Sequence, residues 1–155
     1  YRQFASTRTI VCASPDYLER HGTPRHPEDI KDHLVLGYSY AANKDEWRFD
    51  GPDGAISVKT QARMHANNGD TCVAAALDSL GITRHPTFIV GPHIRSGRLV
   101  PLLPGYRSAE MGIYAVYPSR THLPAKVRAT IDFLVQAFAH VPWDDPSSDT
   151  ALPDT

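Results

Sequence analysis

The sequence predicts an α/β domain on a largely parallel or mixed sheet, and two observations carry that reading. Short apolar runs alternate with amphipathic segments of helical period, the pattern of strands covered by helices. Helix start and stop residues stand at the junctions. Ser14-Pro15-Asp16 and Asn68-Gly69-Asp70-Thr71 each follow a strand-like run, and Gly22 and Gly81 close the helices they open.

Arg8 to Ala13 is short and apolar, as a buried strand requires. Ser14 then suits a helix N-cap, Pro15 the first helical position and Asp16 the positive end of the helix dipole. Tyr17 and Leu18 give that helix its apolar side, and Gly22 supplies a left-handed stop. Pro27, Glu28 and Asp29 start a second short helix, and Leu34 to Tyr38 is a strand candidate. Trp47 and Phe49 alternate with polar residues before Asp50-Gly51-Pro52-Asp53-Gly54 turns the chain into Ile56 and Val58, a hairpin signal. After Arg63 to Ala66, the next helix carries Val73, Ala76, Leu77 and Leu80 on one face and ends at Gly81. Ile82 begins a brief strand that Pro86 terminates, and Leu99 to Leu103 forms another. Met111 to Tyr117 is nearly continuous in apolar residues, the mark of a strand buried on both faces. A last helix from about Pro124 to Ala139 carries the stripe Val127, Ile131, Leu134 and Phe138.

Composition narrows the function. The 155 residues suit one domain or two small lobes, and 41% hydrophobic against 21% charged residues is a globular balance. There is no run of about 18 apolar residues that would cross a bilayer. A net charge of -1 excludes a domain that holds nucleic acid by bulk electrostatics. Charge is segregated, however. Residues 79–128 carry seven Lys or Arg against Glu110 alone, while residues 129–155 carry five acids and no base. The positive window could attract an anionic ligand or partner, but a solvated surface with Arg stems lying over apolar groups is the favoured account. The chain opens at Tyr1 without an initiator methionine and reads as part of a longer protein, with a disordered tail over residues 142–155.

Catalytic chemistry is faint. His21, His26 and His33 stand five and seven residues apart, which is not the i, i+4 pairing of a helical metal site. Cys72 lies near a helix start, where a thiolate is favoured, but no base pairs with it and an inert buried thiol is expected. Asp29 and Asp32 read as a solvated pair. No metal and no cofactor is expected. The two helix starts say more, because ligands of open α/β sheets collect at the carboxyl ends of strands, where N–H groups of the next helix are free. Asn68, Gly69 and Thr71 offer such donors to a carboxylate or similar group. Capping of their own helices is the competing role for Asn68, Asp70 and Ser14.

Several motifs together resemble one family. They are C-A-S-P-D-Y-L-E-R-H-G-T-P-R-H-P-E-D-I-K-D-H from Cys12 to His33, W-R-F at Trp47 to Phe49, and N-N-G-D-T with A-A-A-L-D-S-L-G-I-T-R-H-P from Asn67 to Pro86. G-R-L-V-P-L-L-P and G-I-Y-A-V-Y-P-S-R-T-H-L-P-A-K-V-R-A-T-I-D-F-L follow. In this order and spacing, over about residues 8–140, they resemble the effector-binding domain of LysR-type transcriptional regulators. The resemblance implies a fold like the type 2 periplasmic binding proteins. One complete lobe spans residues 5–104, and residues 105–141 supply the returning strand and last helix of the other, so the effector cleft has one wall in this chain. It implies a small-molecule effector, held by Ser14, Asn67, Asn68, Gly69, Thr71, Arg84 and Phe88. It also implies a cytoplasmic protein, with DNA bound only through an N-terminal winged helix-turn-helix outside this sequence. Two positions depart from the family: Asp78-Ser79 stands where Ala-Gly is usual, and Thr130 where an aromatic is common. With part of one lobe missing, the stripe of the last helix is expected to dock on another copy, or on Met111 to Tyr117 in a swapped arrangement, making a homo-oligomer. A solute receptor of transport type with the same fold is the alternative, and an enzyme using Cys72 or a histidine is a third reading.

Overall fold

The computed structural model describes residues 1–41, 45–118 and 123–140. Its spine is β1 (Arg2–Ala13), which changes partner halfway. From Arg2 to Arg8 it pairs antiparallel with β8 (Glu110–Ala115). From Thr9 onward it pairs antiparallel with β6 (Thr83–Pro86), and at Cys12 and Ala13 with β7 (Val100–Pro101). The apolar second half is buried on both faces, as expected. Val11 and Ala13 join a core with Tyr17, Ile30, Ile82 and Leu103, while Cys12, pointing the other way, joins Leu36, Val73, Ala76, Val90 and Leu99. The strand begins at Arg2 rather than Arg8 because its first half, though mostly polar, alternates in burial against β8.

The remaining strands form two two-stranded sheets, one parallel and one antiparallel. β2 (Val35–Tyr38) and β5 (Ala62–Ala66) pair in parallel. A parallel bridge joins Val35 to Ile82: the Leu36 N–H donates to the Ile82 carbonyl at 2.9 Å and the Ile82 N–H to the Leu34 carbonyl at 2.8 Å. β3 (Glu46–Gly51) and β4 (Gly54–Lys59) form the expected hairpin, with Trp47, Phe49 and Val58 turned into the first core.

α1 (Pro15–His21) begins as predicted. The Ser14 hydroxyl accepts the Tyr17 N–H at 3.1 Å, and Gly22, at φ 83°, donates to the Leu18 carbonyl at 2.8 Å. Pro27–Asp32 is a 3-10 helix. Asp29 is exposed there, as expected, and also caps the helix. One of its carboxylate oxygens accepts the Arg25 and His26 N–H groups, both at 3.0 Å, and these hold its carboxyl below the ordinary range.

α2 (Gly69–Leu77) ends earlier than the apolar spacing suggests. Ser79 takes φ 64°; its N–H reaches the Ala76 carbonyl and that of Leu80 the Ala75 carbonyl, each at 3.0 Å, which is a Schellman stop. Leu80 is consequently thrown outward, 55% exposed, instead of lying on the helix face. The left-handed residue is thus Ser79, where the family usually has glycine, and Gly81 serves another purpose. A Cβ on Gly81 would fall 2.5 Å from the Leu34 carbonyl oxygen, so glycine there permits the bridge to β2.

Two expectations are corrected. Leu99 to Leu103 is strand only at Val100–Pro101, since Leu103 turns to φ 57° between two prolines that lack a donor N–H. Met111 to Tyr117 is not buried on both faces: Met111, Tyr114 and Val116 are exposed. The stripe of α4 (Ala125–Ala137) is partly covered within the chain: Ile131 is buried, Phe138 meets Phe4 with ring centroids 5.4 Å apart, and Asp132 pairs with Arg2 at 3.0 Å, so α4 lies on the first half of β1, while Val127, Leu134 and Phe138 stay half-buried. One helix was not foreseen. α3 (Thr87–Arg95) follows Pro86 and carries Pro92 inside it, and these two prolines break the pattern by which a helix is recognised. The expected tail over residues 142–155 lies outside the described residues.

Candidate functional site

A cavity of about 540 Å³ opens where β1 changes partner. One side comes from β2, β3, the start of α2, β6 and α3; the other comes from Ser108 to Met111, at the entry to β8. Ser108 holds the junction. Its hydroxyl donates to the Thr9 carbonyl at 2.7 Å and accepts the Thr9 N–H at 3.0 Å, satisfying the first residue beyond the pairing with β8. The buried hydroxyls of Thr7 and Thr87 meet at 3.0 Å and tie β1 to the start of α3.

Of the seven residues expected to face an effector, three line this cavity: Gly69, Arg84 and Phe88. Ser14 does not. It is buried, with its hydroxyl against Ser79 at 2.7 Å and under the Tyr17 N–H, so its role is the cap. Asn68 is also a cap, its Oδ1 accepting the Asp70 N–H at 2.8 Å. Asn67 and Thr71 are exposed and outside the lining.

The cavity adds residues that sequence reasoning did not propose: Tyr38, Trp47, His85 and Ser108. Trp47 was legible only as hairpin core, which it also is. The Arg84 guanidinium lies 5.0 Å from the Trp47 ring centroid, a cation–π contact. Burial pushes the Arg84 pKa down to about 10, so it remains charged at neutral pH. Among the described residues no carboxylate oxygen comes within 4.0 Å of it. His85 is 3% exposed, its ring 5.8 Å from that of Tyr38, and its Nε2 has no hydrogen-bond partner among the described residues. Burial first, and the Arg84 charge second, push its pKa down to about 4 against an opposing pull from Asp70, so the ring is neutral at pH 7.

Several other titratable groups are occupied by structure. The Cys72 thiol donates to the Gly37 carbonyl at 3.5 Å and burial raises its pKa; burial pushes that of Cys12 up to about 12. His33 bonds the Tyr17 hydroxyl at 2.8 Å, and His21 stacks on the same ring. Among the described residues no three metal-ligating side chains cluster, and no helix is long and apolar enough to cross a membrane.

Comparison with known proteins decides the family. The sequence matches the LysR substrate binding domain over residues 1–139. The chain belongs to this family. It is 36% identical over 126 residues to an uncharacterized HTH-type transcriptional regulator of Haemophilus influenzae, covering 81% of this chain and 44% of that protein. The full-length structure of AphB, a virulence activator of Vibrio cholerae, superposes with a TM-score of 0.79 at 28% identity, over 88% of this chain and 47% of AphB. The regulatory domain of CrgA, from Neisseria meningitidis, gives a TM-score of 0.79 at 30% identity, over 88% of this chain and 68% of that domain. The chain therefore spans about half the length of the full regulators it matches. The fold is that of LysR-type regulatory domains, like the type 2 periplasmic binding proteins. The family consists of transcriptional regulators rather than enzymes, and the solute-receptor alternative is not favoured.

Proposed function

We propose that this LysR-family domain senses a small molecule bound in the cavity beside Arg84 and Phe88, and that the full-length protein is a cytoplasmic, homo-oligomeric regulator passing the signal to an N-terminal DNA-binding helix-turn-helix. The single observation that carries this is the place of the cavity at the partner switch of β1. A ligand there touches Arg84 and Phe88 on one side and Ser108, Ala109 and Met111 on the other. It biases the angle between the two halves of a strand that is continuous through both. A ligand shifts such an equilibrium only by its differential affinity for the two arrangements, and contacts to both sides supply that difference.

The test is a thermal-shift screen of the full-length protein against small metabolites. A ligand at about 100 times its Kd stabilises the folded state by about 2.7 kcal/mol. Ala109→Trp, at an exposed position on the cavity lining, fills the space and is expected to abolish that shift while leaving the unliganded melting temperature near its original value. Shifts that persist in Ala109→Trp would move the ligand elsewhere.

A further inference from the structure

The class of ligand follows from the cavity's charges, on the reading that the cavity is the effector site. Besides the phenols of Tyr38 and Tyr40, four ionisable side chains line it: Glu46, Arg48, Arg84 and His85. Glu46 and Arg48 face each other at 3.5 Å and offset one another. Arg84 has no carboxylate partner within 4.0 Å among the described residues. The rest of the lining is largely apolar, including Tyr38, Phe88, Ile89 and Met111. One uncompensated cation in an apolar cavity is costly until an anion arrives, and one anion satisfies it.

Trp47 decides how that anion is held. Its ring lies at the hairpin, almost wholly buried, and cannot follow the guanidinium if Arg84 swings away. The contact therefore pre-orients Arg84 and reduces the side-chain entropy lost when a ligand binds. A cation–π contact uses the charge of a guanidinium rather than its N–H donors, which stay available to a planar partner, and a carboxylate matches that fork.

We propose that the cavity is selective for a small organic monocarboxylate, its carboxylate held by Arg84 on the Trp47 platform and its apolar body against Phe88, Ile89 and Met111. A dianion such as a phosphate monoester is disfavoured, because its second charge would lie beside Glu46 without a free cation. A neutral analogue is disfavoured because it leaves Arg84 unpaired.

The full-length protein is titrated with hexanoate, benzoate and phenylacetate, with their amides, and with phenyl phosphate. At least one carboxylate is expected to bind about tenfold or more tighter than both its amide and phenyl phosphate. Arg84→Gln is expected to erase that ratio, with its fold checked by circular dichroism. Arg84→Lys, which keeps the charge but loses the fork, is expected to retain only part of it. Equal binding of amides, tighter binding of phenyl phosphate, or an unchanged ratio in Arg84→Gln would overturn the monocarboxylate inference. If such binding still disappears in Ala109→Trp, the cavity stands as the ligand site and only the ligand class falls. Binding of no probe at all would also overturn the inference; probe binding indifferent to Ala109→Trp would take the proposed site with it.

Discussion

Replacing Gly81 with alanine is expected to destabilise the domain by about 3 kcal/mol or more, although it adds one methyl group. The new Cβ would fall 2.5 Å from the Leu34 carbonyl oxygen and 3.2 Å from Cγ of Leu36. The first of these is backbone and is already held by the Ile82 N–H at 2.8 Å, so it cannot retreat without breaking the bridge between β2 and the strand entering β6. Both cores meet that bridge, through Ile82 and Val35 on one side and Leu36 on the other. Urea unfolding measures the loss; a midpoint within experimental error of the wild type would mean that the close approach is not a constraint. By contrast, Gly54, at φ 111°, has open space around its Cβ direction, so alanine there tests backbone conformation alone.

The second large effect is on pH dependence. The His85 pKa, near 6.5 in an unfolded chain, is about 4 in the folded protein. Between those values the unfolded chain binds a proton that the folded one refuses, so stability is full above pH 6.5 and falls as the pH drops towards 4. The integrated loss is about 3 kcal/mol, since each pKa unit is worth about 1.4 kcal/mol. His33 and His93 are shifted in the same direction, also first by burial, and add to the slope. Asp16 and Asp29 have lowered pKa values and release their stabilisation only below the ordinary carboxylate range. The contribution of His85 is therefore isolated by difference. His85→Leu is expected to flatten most of the slope between pH 6.5 and 4.5 in urea titrations, and an unchanged slope would contradict the burial of a neutral ring.

What was legible in the sequence, and what was not, follows from the kind of signal each element leaves. α1 was readable to the residue because Ser14, Pro15 and Gly22 each perform a backbone task that few other residues perform. The hairpin was readable because alternation and turn residues agree. α3 was hidden by Pro86 and Pro92, and the first half of β1 by its polar composition; both are held by tertiary partners, Thr7 with Thr87 and the pairing with β8. The open strand at Met111 misled because a run of apolar residues records which surfaces are to be covered, not whether the cover lies within this sequence.

The site divides in the same way. Of the residues expected at the site, Gly69, Arg84 and Phe88 line the cavity. Ser14 and Asn68 were expected there from helix-start logic, and their side chains cap α1 and α2. His85 and Trp47 lie within quoted motifs but carried no signal of a place at the site. A histidine beside an arginine on a short strand reads as surface, and a tryptophan in a hairpin reads as core. It takes the folded chain to put the indole under the guanidinium and to strip the imidazole of water.

The most direct measurement of the central claim is operator binding by the full-length protein, with and without a ligand that stabilises it, in the wild type and in Ala109→Trp. The ligand is expected to change the affinity or the footprint on DNA in the wild type and to leave Ala109→Trp at its unliganded value. A ligand that occupies the cavity yet leaves DNA binding and transcription unaltered, or a response undiminished in Ala109→Trp, would contradict a sensing role for the cavity where β1 changes partner.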